Sequence, residues 1–528
     1  MSHQVDRPHA DINRRRALIG MGLAAPFFAA ASASAEKRVS LLRIDETELR
    51  RRGAVLDGEI DDLHVLQACI DESAVTTPNM ACPSILFDLP AVTICLSGPL
   101  QTGGRNITLR GAGQDLTTLV MKTGGNGILT HGTSENPAKG YLQLQDIGFD
   151  DGNPKGSGCT GLSIHFAADA PQAAMTWQGV SLRKWSQGAT VVNCPRNWHC
   201  ENVTVFGPDF AMQKASGFKI ISEPHFVQGC FTYVFVNVLV ANYSWGWDYD
   251  ISSPLEGQRF YSCTCYNGWG MVRSRVHATP DRRNSIDETY RSVIWYFMEC
   301  DWQGFGYALD LVHCRNIIVR GGFYIANRNI DHLPIPDGRP RRRYMSFVDC
   351  GDILLDGVKF DVFAGSEPEL SLVYVDGRSD NFRARDTNVL SYATIYCAFE
   401  FADPELPNHK RNTLSEMDTL WAAWSGGEKV RDAGGNQISQ TSLRDIGGEM
   451  TSGGQISLQG HVTIKADKKF LSFPRRSNGK SWFSAPPVVS VQTIGSQGTA
   501  TLSKVTVEGI YLEMSDSSVD VMWQATGS

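Results

Sequence analysis

One short phrase keeps returning between about Leu100 and Leu390: a β-branched or aromatic run, then Gly, Asn or Asp, then another run. It reads NITLRGAG from Asn106, LQLQDIGFDD from Leu142, TWQGVSLRKW from Thr176 and CENVTVFGPD from Cys200. It returns as FVNVLVANYS from Phe235, RNIIVRGGFY from Arg315 and GDILLDGVKF from Gly351. Spacings are irregular, roughly 20 to 40 residues, and no helical periodicity of useful length interrupts them. Sandwiches also give many short strands with turns between. The recurring Asn or Asp immediately before I/V-x-[VLF] separates the two cases, because one turn residue repeated at one position implies stacked coils whose like residues form ladders. The pattern predicts an all-β chain built as a parallel β-solenoid.

The cysteines follow the same beat. All 13 lie between Cys69 and Cys397, and HCEN at 199–202, HCRN at 313–316 and DCGD at 349–352 each precede a β-rich run. Free Cys is among the most buried residue types, so the recurrence reads as a stack of small apolar side chains. SCTC at 262–265 carries two thiols on one strand face but no His-rich spacing, which argues against a metal–thiolate site.

The stretch from Gly53 to Ser73, GAVLDGEIDDLHVLQACIDES, holds six acidic side chains. A calcium loop needs closely alternating ligands ending in a distal Glu, and that order is absent. Asp61 or Asp62 can instead N-cap a helix whose Leu63, Leu66 and Ile70 share one face. Gly53-Ala54, Asp57-Gly58, Asp61-Asp62, Gln67 and Ile70-Asp71 resemble the N-terminal motif of the pectate-lyase-like right-handed β-helix family, which includes glycosidase-28-related proteins and phage tailspikes. Leu56 and Ile60 depart from it, where the family has a small residue and Thr. The resemblance spans about Arg43 to Leu390 and implies a helix capping the open end of a right-handed parallel β-helix that acts on polysaccharides along one outer face.

After Glu400 the texture changes. NTLSEMDTLWAAW, from Asn412, reads as one short helix, and the Gly-, Ser- and Gln-rich run after it as a linker. Residues 456–528 are β again. Phe470 to Pro474, Phe483 with Pro486-Pro487-Val488-Val489-Ser490-Val491, and Val521 to Ala525 resemble the small β-sandwich of phage tail fibres and the H-type lectin domain. That resemblance implies a homotrimer and sugar contact. The expected organisation is a signal over 1–35, the β-helix over 36–400, a linker over 401–455 and a β-sandwich over 456–528.

The first 35 residues read as a targeting segment. Arg14 to Arg16 precede a mildly apolar Ala- and Gly-rich run ending in Ala33-Ser34-Ala35. Arg15-Arg16-Ala17-Leu18-Ile19 resembles a twin-arginine signal, with cleavage after Ala35 and a periplasmic or secreted product. Removing its four arginines and two aspartates takes the formal charge from −7 to −9. A balance of that sign excludes wholesale attraction to nucleic acid or to a membrane surface. No other segment approaches the roughly 18 apolar residues of a membrane span.

Sugar binding and cleavage need outward aromatic platforms, carboxylates and cations. YSWGWDYD, from Tyr243, puts Trp245, Trp247 and Tyr249 on one strand face and Asp248 and Asp250 on the other. YFMECDWQGFGYALD, from Tyr296, places Glu299 and Asp301 on one face around an inward Cys300, with Trp302 adjacent. Glu299 and Asp301 are the first candidates for an acid paired with a base or nucleophile, and Asp248 and Asp250 the second. Trp245, Trp247, Tyr249, Trp269, Trp302, Arg259 and Arg273 are the candidate substrate contacts, with Asp310, His199 and Glu201 secondary. The Asn-Thr-Asp, paired-Asp and Gly-His-Gly motifs of polygalacturonases are absent. Arg259, Arg273, Arg275, Arg282, Arg283 and Arg291, with Arg339 and Arg341 to Arg343, make basic zones that fit an anionic glycan. Three functions stay open: hydrolysis by paired carboxylates without a cofactor or metal, β-elimination from a uronate with Ca²⁺ as the accompanying ion, and glycan binding or adhesion without catalysis.

Overall fold

The computed structural model describes residues 42–527 except 74–83, 123–126, 154–157, 169–173, 195–196, 209–214, 224–231, 253–254, 277–291, 327–341, 377–378, 403–415, 425–427, 433–441, 444–448, 451–455, 466–469, 474–482, 495–499 and 515–517. The expected signal over 1–35 lies outside the described residues.

From Leu42 to Leu443 the chain winds as a parallel β-helix in which each strand pairs in parallel with strands of the neighbouring coils. One coil shows the plan. Thr232–Val236 lies in a first sheet, Leu239–Ala241 in a second and Trp245–Ile251 in a third. The next coil repeats it, with Val234 opposite Arg259, Val240 opposite Cys265, and Trp247 opposite Val272. Successive coils are about 4.8 Å apart, so like positions stack. Inward side chains form continuous columns: the rings of Phe235, Phe260 and Phe297 stack at 5.0 and 4.9 Å. Contacts of this kind are worth about 0.5–1.5 kcal/mol each beyond burial.

The recurring turn residue proves to mark two ladders. At the corner between the first and second sheets, Asp146, Gly179, Asn202, Asn237, Ser262, Glu299, Gly321, Gly357 and Asp386 all have left-handed backbone, φ 47° to 66°. Asn237 Nδ2 donates to Asn202 Oδ1 at 2.7 Å, and each amide from Asn202 to Gly357 donates to a carbonyl of the next coil. Asn and Gly tolerate this conformation, which is why they recur there. Within the first sheet a second ladder carries Gly257, Ile294, Asn316, Asp352 and Asn381, φ 53° to 74°. Asn202 therefore belongs to the corner, and Asn316 and Asp352 to the in-strand ladder. The cysteine stack divides accordingly: Cys200 lies between Trp177 and Phe235 in register, while Cys314 and Cys350 are neighbours elsewhere. All described cysteines are free thiols, and burial pushes the Cys200, Cys263 and Cys350 thiols up.

The acidic stretch closes the start of the helix. Helix α1, Glu46–Arg51, is capped by Asp45, which accepts from the Glu48 amide at 3.0 Å. Helix α2, Leu63–Glu72, buries Val65, Leu66, Cys69 and Ile70, with Leu63 packed on the same core. Asp61 accepts from the amides of Leu63 and Ser97 at 3.0 and 2.9 Å. The fully buried Asp62 accepts from those of Val55 and Leu56 at 2.8 and 2.9 Å. Asp57 closes its own turn on the amides of Glu59 and Ile60.

Two features differ from expectation after residue 400. Glu416–Trp424 is a strand rather than a short helix, in register with Arg383 to Ser391, and Glu428–Asp432 pairs with Cys397 to Phe401. A free parallel edge offers backbone donors and acceptors that a strand satisfies and an isolated short helix does not. Stacking thus continues through the segment read as a linker. Beyond it lie two antiparallel sheets, one containing Ile456–Lys465, Ser518–Gly527 and Val488–Ile494, the other Phe470–Ser472, Gly509–Met514 and Ala500–Val505. Phe473 meets Trp523 at 5.4 Å and Phe483 at 5.3 Å.

Candidate functional site

Strand Trp245–Ile251 alternates as its sequence implies, but the aromatic side points in. Trp247 and Tyr249 are fully buried in the helix interior: Trp247 stacks on Phe218 at 5.6 Å, and Tyr249 meets Trp295 edge-on at 5.1 Å. Trp302 is likewise fully buried in the same core. These three side chains cannot be sugar platforms, because alternation leaves the larger apolar face no place but the interior.

The other face of the strand points outward, where charges align across four coils. Lys219, Asp248, Arg273 and Asp310 occupy successive rungs of the third sheet, with Asp250 beside Arg275. Arg273 donates from Nε and Nη2 to the two oxygens of Asp248 at 2.9 and 2.8 Å. Arg275 adds a contact to Asp248 at 3.4 Å and one to Asp250 at 3.8 Å. Asp248 and Asp310 are only 4% and 2% exposed, whereas the Arg275 side chain is 42% exposed.

Trp245 and Trp269 lie outside the main core but are also buried, 3% and 4% exposed. With Tyr307 they form a small cluster of their own, edged by Phe305. Glycines make room for it: a Cβ on Gly270 would strike the Trp245 ring, and one on Gly306 would strike that of Trp269. Trp245 stacks with Tyr307 at 5.8 Å, and the Arg273 guanidinium lies 4.6 Å above the Trp245 ring.

Glu299 and Asp301 lie elsewhere. Glu299 occupies the left-handed corner, φ 51°, with its carboxylate over Gly321. That turn interrupts strand alternation between it and Asp301. Asp301 Oδ1 accepts from the Phe323 amide at 3.0 Å, closing the step to the next coil. Both are exposed, on or beside the second sheet, away from the rungs of Asp248. Arg259 is on the first sheet with its guanidinium 5.9 Å from the Tyr296 ring centroid, and His199 and Glu201 share that sheet, 3.5 Å apart. Of the basic zones, Arg282, Arg283, Arg291, Arg339 and Arg341 lie outside the described residues.

Sequence reasoning missed two residues. Lys219 extends the charged ladder; a lysine between Phe218 and Ile220 in an otherwise apolar strand was the available sign. Asp361, between the buried Phe360 and Val362, faces outward with Ile325 and Leu390 on adjacent rungs. Burial pushes its carboxyl above the usual range.

Chemically, the third sheet brings together the carboxylates of Asp248 and Asp310, three cations and a buried aromatic cluster. Asp248 and Asp310 are two rungs apart, about 9.6 Å at Cα. Arg273 occupies the rung between them and holds both oxygens of Asp248. Among the described residues no group of three or more His, Cys, Asp or Glu side chains is placed to hold a metal ion.

No family model matches the chain, and no curated protein does. Among solved structures, it is similar to the A-module of mannuronan C-5 epimerase AlgE6 from Azotobacter vinelandii, at 13% identity over 75% of this chain and 97% of that one, TM-score 0.44. It is similar to tailspike protein gp49 from Pseudomonas phage LKA1, at 11% identity over 92% and 99%, TM-score 0.38. It is also similar to PfbA, a surface adhesin of Streptococcus pneumoniae, at 11% identity over 79% and 96%, TM-score 0.38. At these identities and scores the likeness says nothing about activity.

Proposed function

We propose that this protein binds and cleaves an anionic polysaccharide along the outer surface of its third sheet. The observation that carries the reading is the Arg273–Asp248 ion pair laid on Trp245, with Asp310 on the next rung and Lys219 on the one before. Arg275 and Lys219 supply cations for sugar carboxylates, and Asp310 and Asp248 supply the acid and base of hydrolysis. In the rival elimination a basic side chain removes the proton, and Ca²⁺ would help neutralise the uronate. Export by the N-terminal segment, and trimer formation through a sandwich over residues 456–528, belong to the same proposal. Light scattering of a chain shortened at residue 455 is expected to show monomer, and an unchanged trimer would remove that role.

The deciding experiment incubates the chain with acidic polysaccharides while reducing ends and the ultraviolet absorbance of unsaturated uronates are followed together. New reducing ends without absorbance are the expected result. Asp310→Asn should slow their release about 10²- to 10⁴-fold. A full rate in that variant would remove the site. Tight binding with no product from any polymer would make the protein a glycan-binding one.

A further inference from the structure

Apolar side chains occupy much of the outer surface of the first sheet across four coils. Val234 and Val236 are followed in register by Arg259 and Tyr261, then Tyr296 and Met298, then Ile318 and Arg320. All but the exposed Arg320 are half-buried. Arg320 is neutralised by Asp356, whose Oδ2 accepts from its Nε at 2.8 Å.

Arg259 differs from Arg273, Arg315 and Arg320, which each meet an aspartate. Among the described residues it has no ion pair; its guanidinium is 5.9 Å from the centre of the Tyr296 ring, and its Nε is buried without a hydrogen-bond partner. An un-neutralised arginine among Val234, Val236, Tyr261 and Met298 is an expensive arrangement unless an anion completes it. Beside it the in-strand ladder passes through Ile294, a β-branched residue held at φ 66°. Backbone strain of that kind gathers at ligand clamps.

A sugar acid fits both halves of this surface. Its carboxylate can take two parallel hydrogen bonds from the guanidinium fork, and the C–H face of its ring can lie on Tyr261 or Tyr296. We propose that the surface around Arg259 is a second binding site for a carboxylate-bearing polysaccharide, on a different sheet from the Asp248 surface and serving to retain the polymer. The proposal rests on the reading of the chain as acting on an anionic glycan, but it concerns retention rather than cleavage.

The test measures retention of the full chain in gels cast with alginate, polygalacturonate or hyaluronate, and with the carboxyl-reduced form of each. It compares the wild type, Arg259→Ala, Arg259→Lys and Tyr296→Ala, with the melting temperature of each variant as a folding control. The expected result is that at least one acidic polymer retains the wild type and its reduced form does not. Arg259→Ala should then weaken retention about tenfold, equivalent to about 1.4 kcal/mol, and Arg259→Lys should restore only part of it. Retention of Arg259→Ala equal to wild type, or no retention of the wild type by any acidic polymer, would overturn the proposal. So would loss of self-association in Arg259→Ala by sedimentation with retention intact, which would assign the arginine to a second copy of the chain. Because no product is needed, failure of the cleavage reading leaves this measurement standing.

Discussion

Arg273 binds both carboxylate oxygens of Asp248 from the neighbouring coil while its guanidinium carbon lies over the Trp245 ring, 4.6 Å from its centre. The pair is almost wholly removed from water, so its members are costly to separate. Removing one leaves the other charged and uncompensated, a loss of about 3–5 kcal/mol where burial is complete. Arg273→Ala and Asp248→Ala should each lower the urea midpoint by an amount of that order. Arg273→Lys should recover little, because an ammonium cannot make the double contact and the stack together. Midpoints within experimental error of wild type would show the pair to be dispensable for folding.

Ile294 holds a left-handed backbone on a rung that Gly257, Asn316, Asp352 and Asn381 otherwise fill. The strain costs an L-residue roughly 1–2 kcal/mol, and more for a β-branched side chain. Ile294→Asn should therefore raise stability by about 1 kcal/mol, read as a higher urea midpoint. A lower midpoint would mean that the packing of the isoleucine outweighs the strain.

His131 is fully buried, its Nδ1 2.7 Å from Thr102 Oγ1, and burial lowers its pKa to about 4. In the unfolded chain the ring takes its proton near pH 6.5. Stability from this group is complete above that value and is lost as pH falls from about 6.5 to about 4. The loss amounts to ~3 kcal/mol. His131→Asn should flatten this acid limb in urea titrations between pH 4.5 and 7. An unchanged slope would locate the pH dependence in other groups.

Asp361 shows the opposite sign. Burial raises its folded pKa, so the unfolded chain releases the proton first and stability falls as pH rises from about 3.8 through the folded value. Asp361→Asn should melt higher than wild type at pH 7 and equally below pH 3.5. A variant less stable at pH 7 would show that the ionised carboxylate is stabilising.

Much of the architecture could be read from short stretches. Asn202 and Asn237 each stand before a β run because the left-handed corner excludes most other residues, and that preference is local. The acids of the opening stretch bond amides within a few residues of themselves, with Asp61 also reaching Ser97. The candidate surface was only partly legible. Trp245, Trp269, Arg273, Asp248 and Asp250 do come together, whereas Glu299 could not be recognised as a corner residue, since glutamate is seldom placed there and nothing beside it in sequence reports Gly321 stacked on it.

By itself, then, the sequence determined that this chain would coil as stacked parallel strands and turn to a different β texture after residue 456, because strand alternation and turn conformation depend on nearest neighbours. It did not determine which side of Trp245–Ile251 would be interior, or that Arg273 would reach Asp248. Those outcomes were decided by stacking, which sets residues 25 to 37 positions apart on adjacent rungs and removes from water whatever lies between them.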